Sequence, residues 1–475
     1  MHHRISRRTF VGGLAAGAAL TSVRRVAGAP LDVEFGELLE QLREAMRRHD
    51  VPGAAVGVVA GEREWAAGVG ILSEDAPLPL NEDSILPIGP LTSVITATAI
   101  IRLIEQGRLQ LETPIRASIP NFRAGTEMAS QQATLLDCLT HRTGWWGDDY
   151  TDTGSSDDAL ARYVAGMGAL PQTAPYSQFW SYNIAAYSVA GRVIEVVTGR
   201  TFEEAIRALV FEPLRMERSF FNVVEVMSQP VSIGHGSGEP RIIRPFGAPR
   251  GLNPALGALV SMRDLLRFIR FHLGDGAPPV SLPLLAYMRA PRTEAGPAEW
   301  LALDGFGLGW MLWNPQRQRF AGVLGSTPDG QHSLVLLNAE RDFGLALFGN
   351  SVGAGAMLRE LATWTLGRFL GLVDLPPAAY DLPIEQLQPY VGQYIFENTT
   401  SRALVPRRYE VSLRDGTLVL RDSESPPARL RFTDRDTVIA VDGPLAGLRA
   451  DFLRDTQGAV GWLRFGLRAV PKAGR

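Results

Sequence analysis

The chain has 475 residues, of which 45% are hydrophobic and 20% are charged, and this composition excludes disordered and fibrous proteins. Lys472 is the single lysine among the 47 basic residues, and arginine keeps its proton, so catalysis by a lysine base or a Schiff base is almost excluded. The net charge of −3, without a basic stripe, predicts no nucleic-acid partner.

The first 29 residues predict an export signal. Arg7 and Arg8 precede a short run rich in glycine and alanine, which is typical of a twin-arginine signal; a disordered basic tail is the alternative. The run is shorter than the roughly 20 apolar residues of a membrane span, and no later segment reaches that length. We therefore expect a periplasmic or secreted protein with no membrane span in its mature chain.

Residues 30–375 predict strands at both ends of a largely helical middle. Apolar spacing predicts helices at 36–48, between Pro90 and Gly107, and at 186–198, 201–210, 261–273 and 354–370. Strand patterns lie at 54–60, 63–70, 305–312, 333–338 and 343–348. This order of elements predicts an α+β fold with a helical insert.

The pattern changes near residue 375. Pro376, Pro377 and Pro383 predict a linker over 376–383, and beyond it apolar residues alternate with a period of two. Asp415 and Gly416 join two such runs and predict a tight hairpin turn. Residues 384–475 are therefore predicted to form a small antiparallel β-barrel or sandwich.

Four short segments, taken together, resemble the serine β-lactamase, penicillin-binding protein and esterase family on its class C side. They are residues 51–56 (VPGAAV), 139–144 (LTHRTG), 211–216 (FEPLRM) and 306–310 (FGLGW). The resemblance covers about residues 35–370, and the C-terminal part resembles the small β domain that some members carry. It implies a DD-peptidase-like antiparallel sheet flanked by helices with a helical subdomain, and acyl transfer through a serine.

The family's first motif is Ser-x-x-Lys at the start of a central helix, where the lysine helps to take the proton of the attacking serine. The segment 88–97 matches this motif without a gap and places Pro90 at the serine position and Ser93 at the lysine position. Proline has neither a hydroxyl nor a backbone N–H. The family uses that N–H as one of two oxyanion donors, so the resemblance implies that both functions are missing here.

The other two motifs also depart from the family. Tyr182 matches the tyrosine of Tyr-x-Asn, but Ile184 stands at the asparagine position, unless a one-residue slip lets Asn183 take that role. The third motif carries lysine or histidine before glycine on a strand beside the nucleophile. The matching segment contains Gly325 and Ser326, and neither register supplies a lysine or a histidine.

Trp145 and Trp146 lie on a loop that approaches the cleft in the family, and two aspartates follow them. Aromatic rings beside acids suit an apolar ligand with a cationic or hydroxyl group, whereas a loop anchored by its tryptophans is the alternative. The seven histidines form no metal-binding pattern, so we expect no metal and no cofactor.

We therefore expect an exported member of this fold that has lost acyl transfer and acts as a ligand-binding, structural or regulatory pseudoenzyme. Its ligand would be a small molecule or a peptide, and the sequence identifies no protein partner. The alternative is an active hydrolase or acyltransferase that uses Ser93 as nucleophile and Tyr182 as base. The predicted cleft is lined by Pro90, Ser93, Trp145, Trp146, Tyr182, Asn183, Ile184, Gly325 and Ser326.

Overall fold

The computed structural model describes residues 31–475 except 239–240, 275–278, 374, 376, 423–424 and 475. The predicted export signal at 1–29 and part of the predicted linker lie outside the described residues. In this part of the chain, no helix has the length and apolarity that a membrane crossing requires.

The described residues contain the following strands. They are β1 Gly53–Ala60, β2 Arg63–Gly70, β3 Ile85–Pro87, β4 Ser219–Phe220, β5 Leu259–Ser261, β6 Gly305–Phe306, β7 Met311–Trp313, β8 Phe320–Ser326, β9 His332–Asn338, β10 Phe343–Gly349, β11 Gly392–Phe396, β12 Arg407–Arg414, β13 Thr417–Asp422, β14 Ala428–Phe432, β15 Thr437–Ala440, β16 Arg449–Arg454, β17 Val460–Phe465 and β18 Arg468–Pro471.

The α-helices alternate with short strands and loops through the first 370 residues. They are α1 Leu31–Arg48, α2 Thr92–Glu105, α3 Glu127–Gln132, α4 Leu135–Leu139, α5 Ala159–Ala165, α6 Ile184–Thr198, α7 Phe202–Ile206, α8 Val223–Val226, α9 Asn253–Leu256, α10 Met262–Leu273, α11 Leu282–Met288 and α12 Ala354–Leu370.

The first sheet is antiparallel and has seven strands in the order β2-β1-β10-β9-β8-β7-β6. Apolar side chains of α1 and α12 pack on one face, where Leu38 and Leu361 join Val56 in a buried cluster. On the other face α10 packs so closely that a Cβ added at Gly57 would lie 2.8 Å from Leu266. The sheet is therefore flanked by helices, as predicted, and most of the other helices lie in the chain between β2 and β6.

The C-terminal sheet has eight antiparallel strands in sequence order, β11 to β18. A bridge between Tyr394 and Lys472 brings β11 to β18, so the sheet is nearly closed into a barrel. The predicted hairpin turn at Asp415-Gly416 joins β12 to β13, with both residues in the left-handed region. Such turns match the twist of the flanking strands. The prediction of an antiparallel β-barrel-like C-terminal part is confirmed.

One predicted strand differs from the structure. The pattern at 305–312 predicts a single strand, but β6 and β7 are separate and pair with each other. Gly309, at φ +82°, makes the turn between them, and a Cβ there would lie 3.2 Å from the Cα of Val94 in α2. Glycine is needed for this close approach to the central helix, and its φ is one that strand residues do not adopt.

Candidate functional site

The central helix begins with a tight turn at the predicted nucleophile position. Gly89–Leu91 forms a single turn of 3₁₀-helix that leads into α2, and Pro90 is buried within it. Proline fits there because the first N–H groups of a helix need no partner within it. Thr92 Oγ1 donates to the Gly89 carbonyl at 2.6 Å and accepts from the Ala258 N–H at 3.1 Å, which fixes the turn against β5.

The end of β8 lies directly beside this turn. A Cβ added at Gly325 would lie 2.3 Å from Ser333 Oγ and 3.4 Å from Pro90 Cδ, so this position tolerates only glycine without rearrangement. Ser333 Oγ donates to the Ile88 carbonyl at 2.8 Å and links β9 to the same turn. The structure thus brings the first and third motif segments together, with Gly325 buried and Ser326 exposed.

Ser93 and Tyr182 are neighbours below the turn, and both are buried. Ser93 Oγ donates to the Ala255 carbonyl of α9 at 3.3 Å. Burial raises the pKa of the Tyr182 phenol, an effect that the Arg468 charge and the adjacent Ser93 hydroxyl oppose. No described group meets hydrogen-bond geometry with Tyr182 Oη. We call the place where the Gly89–Leu91 turn with the start of α2, the end of β8 and Tyr182 meet the cleft.

Asn183 and Ile184 lie at the start of α6, as its N-cap and its first residue. Asn183 Oδ1 accepts from the Ala186 N–H at 2.9 Å as the helix N-cap, and Nδ2 donates to Thr143 Oγ1 and the Trp145 carbonyl. Both ends of this amide are therefore hydrogen-bonded, the oxygen within α6 and the nitrogen to the loop before it. Ile184 is fully buried in the first turn of α6 and offers no polar contact.

Both tryptophans of the predicted cleft are buried and pack against other aromatic rings. Trp145 meets Phe122 edge to face with ring centroids 5.8 Å apart, and both rings belong to the same buried cluster. Trp146 stacks on Phe396 of β11 at 3.9 Å. Trp146 therefore fastens its loop to the C-terminal sheet, which is the anchoring alternative for this loop.

The C-terminal sheet contributes a part of the site that no sequence motif indicated. Three successive residues before α6 bond to it: Arg464 Nη1 donates to the Trp180 carbonyl, the Ala469 N–H to Ser181 Oγ, and the Tyr182 N–H to the Leu467 carbonyl. The glycine before Leu467 was the sole local signal, and it marks a turn without revealing what the turn contacts.

Two adjacent buried aspartates carry the charge at this contact. Asp148 lies between Arg407, which donates to Oδ2 at 3.1 Å, and Arg468, which donates to Oδ1 at 3.0 Å and 2.6 Å. Asp149 is fully buried and accepts from Arg402 Nε at 2.6 Å. Buried charges need such partners, so the loop and the C-terminal sheet depend on each other.

The chemistry available to these residues is limited. The described residues include no group of three or more histidine, cysteine or acidic side chains arranged to hold a metal ion. Cys138 is buried, and burial raises the pKa of its thiol well above the usual value, so it is a poor nucleophile. The cleft itself offers Ser93 and Tyr182 as hydroxyl donors and the charge of Arg468 beside them.

Comparisons with known proteins agree with this architecture. Residues 38–366 match the Beta-lactamase family. The chain is 29% identical to Penicillin-binding protein 4 of Amycolatopsis lactamdurans over 370 residues, 74% of this chain and 95% of that protein. It is 27% identical to Esterase EstB of Burkholderia gladioli over 308 residues, 56% and 76% of the two chains. The crystal structure of SurE superposes with a TM-score of 0.73 at 24% identity and covers 93% of this chain and 99% of that one.

Proposed function

Because this chain belongs to the beta-lactamase family, we propose that it keeps the family's cleft as a ligand-binding site and has lost acyl transfer. The observation that carries the proposal is Pro90 at the start of α2, buried beside Gly325 of β8. Two of its relatives are a penicillin-binding protein and an esterase, which favours a small acyl-bearing molecule or a peptide as ligand.

Pro90 lacks two groups that the family's nucleophilic serine supplies. The nucleophile's hydroxyl is absent, and so is the N–H that would donate to the oxyanion of a tetrahedral intermediate. Removing one oxyanion donor alone slows acyl transfer by about 10²–10³, and removing a nucleophile costs more. Ser93 stands where the family's lysine would take a proton, and a serine hydroxyl is no base at neutral pH.

An altered site with Ser93 as nucleophile and Tyr182 as base is the second candidate, and the geometry supports it less. Ser93 Oγ donates its hydrogen bond to the Ala255 carbonyl, and a backbone carbonyl is not a base that could remove the proton during attack. Burial raises the pKa of Tyr182, so the phenol stays protonated at neutral pH and cannot accept a proton.

Turnover of a substrate panel tests the proposal. The wild type and a Ser93→Ala control should hydrolyse activated esters, thioesters and penicillin-type lactams at the same rate, which should equal the buffer rate. Wild-type turnover that saturates with substrate and disappears in Ser93→Ala would replace this proposal by the second candidate.

We also propose that the protein is exported through the signal around Arg7 and Arg8. Fusion of residues 1–40 to a reporter that is exported only after folding should place the reporter outside the cytoplasm. Replacing both arginines by lysine should retain it inside. Export of the doubly substituted fusion would contradict the assignment.

A further inference from the structure

The turn between β17 and β18 inserts a positive charge into the cleft. Phe465 pairs with Arg468, so Gly466 and Leu467 form the two-residue turn of this hairpin. The Leu467 carbonyl accepts from the Tyr182 N–H at 2.9 Å. The Arg468 guanidinium then lies over the Tyr182 ring, 4.7 Å from its centroid. We call Gly466–Arg468 the C-terminal tip.

The contacts of the Arg468 guanidinium are of the kind that a binding site makes with an organic cation. Its Nε and Nη2 donate to Asp148 Oδ1 at 3.0 Å and 2.6 Å, and its Nη1 donates to the Gly466 carbonyl at 2.9 Å. The face of the Tyr182 ring adds a cation–π contact. A carboxylate oxygen and an aromatic face are the groups that recognise an organic cation.

The tip also carries backbone strain. Leu467 lies at φ +72°, in the left-handed region, where a residue with a Cβ is sterically strained. Asparagine or glycine would avoid that cost at this position of the turn. Leu467 is 8% exposed and belongs to the largest buried apolar cluster, so its burial there offsets the strain.

We propose that Asp148 and the Tyr182 ring form a cation subsite of the cleft, which Arg468 fills in this structure and which a guanidinium or ammonium group of the ligand takes over. This inference rests on the proposed function and names its ligand class. Arg407 holds Asp148 through the other oxygen, Oδ2, at 3.1 Å. Withdrawal of the tip therefore leaves Oδ1 free while the carboxylate keeps its position.

An anionic ligand fits this geometry less well. Two of the three donating nitrogens of Arg468 point at Asp148, and the third at Gly466. An anion that recruited Arg468 would have to break those bonds and would leave Asp148 facing it. A cation that replaces Arg468 inherits the same partners, so the exchange conserves the charge of the buried cluster.

Calorimetric titration with N-acetyl-arginine amide, a single guanidinium without a carboxylate, tests the proposal. Arg468→Ala should bind this probe at least tenfold more tightly than the wild type, because the internal competitor is gone. Adding Asp148→Asn should abolish that gain. The neutral analogue N-acetyl-glutamine amide should bind neither Arg468→Ala nor the double variant Arg468→Ala/Asp148→Asn. Arg421→Ala, which removes an exposed arginine from the same sheet, is the matched control and should bind like the wild type.

Should Arg468→Ala not fold, Arg468→Gln keeps the stem and a hydrogen-bond donor without the charge, and the same ranking applies. Equal binding by wild type and both Arg468 variants would overturn the proposal, as would tight binding that survives Asp148→Asn. Binding of N-acetyl-glycinate by the wild type that is lost in Arg468→Ala would also overturn it, because Arg468 would then be an anion receptor. Catalytic turnover is measured separately, so a failed binding ranking leaves the test of the proposed function intact.

Discussion

The contact between the loop after Trp146 and the C-terminal sheet predicts an unusual order of stabilities. Asp149 is fully buried, and Arg402, itself 7% exposed, is its cationic partner, donating from Nε at 2.6 Å. Arg402→Ala leaves a buried carboxylate without its counter-charge. Breaking such a pair from one side costs about 3–5 kcal/mol of unfolding free energy.

The double variant Arg402→Ala/Asp149→Asn should be more stable than Arg402→Ala alone, because it removes the unpaired charge as well. Ordinary independent substitutions would add their losses, so this reversal is specific to the buried pair. Arg429→Ala is the matched control: Arg429 pairs with Asp442 at 2.6 Å on the same sheet, but both side chains are exposed, and such pairs contribute little.

Urea denaturation at pH 7, followed by far-UV circular dichroism and tryptophan fluorescence, measures these differences. We expect the midpoints to fall in the order wild type and Arg429→Ala, then the double variant, then Arg402→Ala. A single variant Arg402→Ala as stable as Arg429→Ala would refute the reasoning. A double variant less stable than Arg402→Ala would refute it too.

Three further outcomes follow from the structure. Burial lowers the pKa of His141 to about 3, whereas the unfolded chain binds this proton below its usual pKa of about 6.5. Lowering the pH from 7.5 to 5 should therefore reduce the unfolding free energy of the wild type by about 2 kcal/mol through His141. The variant His141→Gln should lack this part of the loss when urea midpoints are compared. The triple variant Pro90→Ser/Ser93→Lys/Ile184→Asn should gain esterase activity that the single variants lack, since residues that act as a unit are not additive; a folded but inactive triple variant would show that the cleft has been remodelled. Limited proteolysis should cut between about 374 and 384, and the two fragments should elute together in size exclusion because buried ion pairs join them; a first cut only within 30–370 would contradict the predicted linker.

Much of the fold could be predicted because it depends on local pattern. The period-two alternation after residue 384 and the Asp415-Gly416 turn identify a β meander without knowledge of its partners. The strands β9 and β10 and the helix α12 follow from continuous apolar spacing. The break at Gly309 escaped prediction, because it depends on how closely the strand passes Val94 of α2, a contact between distant segments.

The cleft was predictable only in part, for the same reason. Pro90 and Ser93 stand in a motif matched without a gap, so their types could be read directly. The role of Asn183 as a helix N-cap depends on where α6 begins, which sequence patterns locate poorly. The contacts of Arg468 with Asp148 and Tyr182 join residues that lie far apart in the sequence, 320 positions for Asp148, and no spacing rule connects residues at such a distance.

The central claim is that this member of the family forms no acyl-enzyme, and intact-mass spectrometry tests it most directly. The wild type is incubated with a penicillin, an activated ester and a fluorophosphonate, and a catalytically competent family enzyme serves as the positive control for each probe. We predict that the mass of this chain stays unchanged while that of the control rises by one acyl or phosphonyl group. A stoichiometric increase that peptide mapping assigns to Ser93 would contradict the account and establish an active site on that residue.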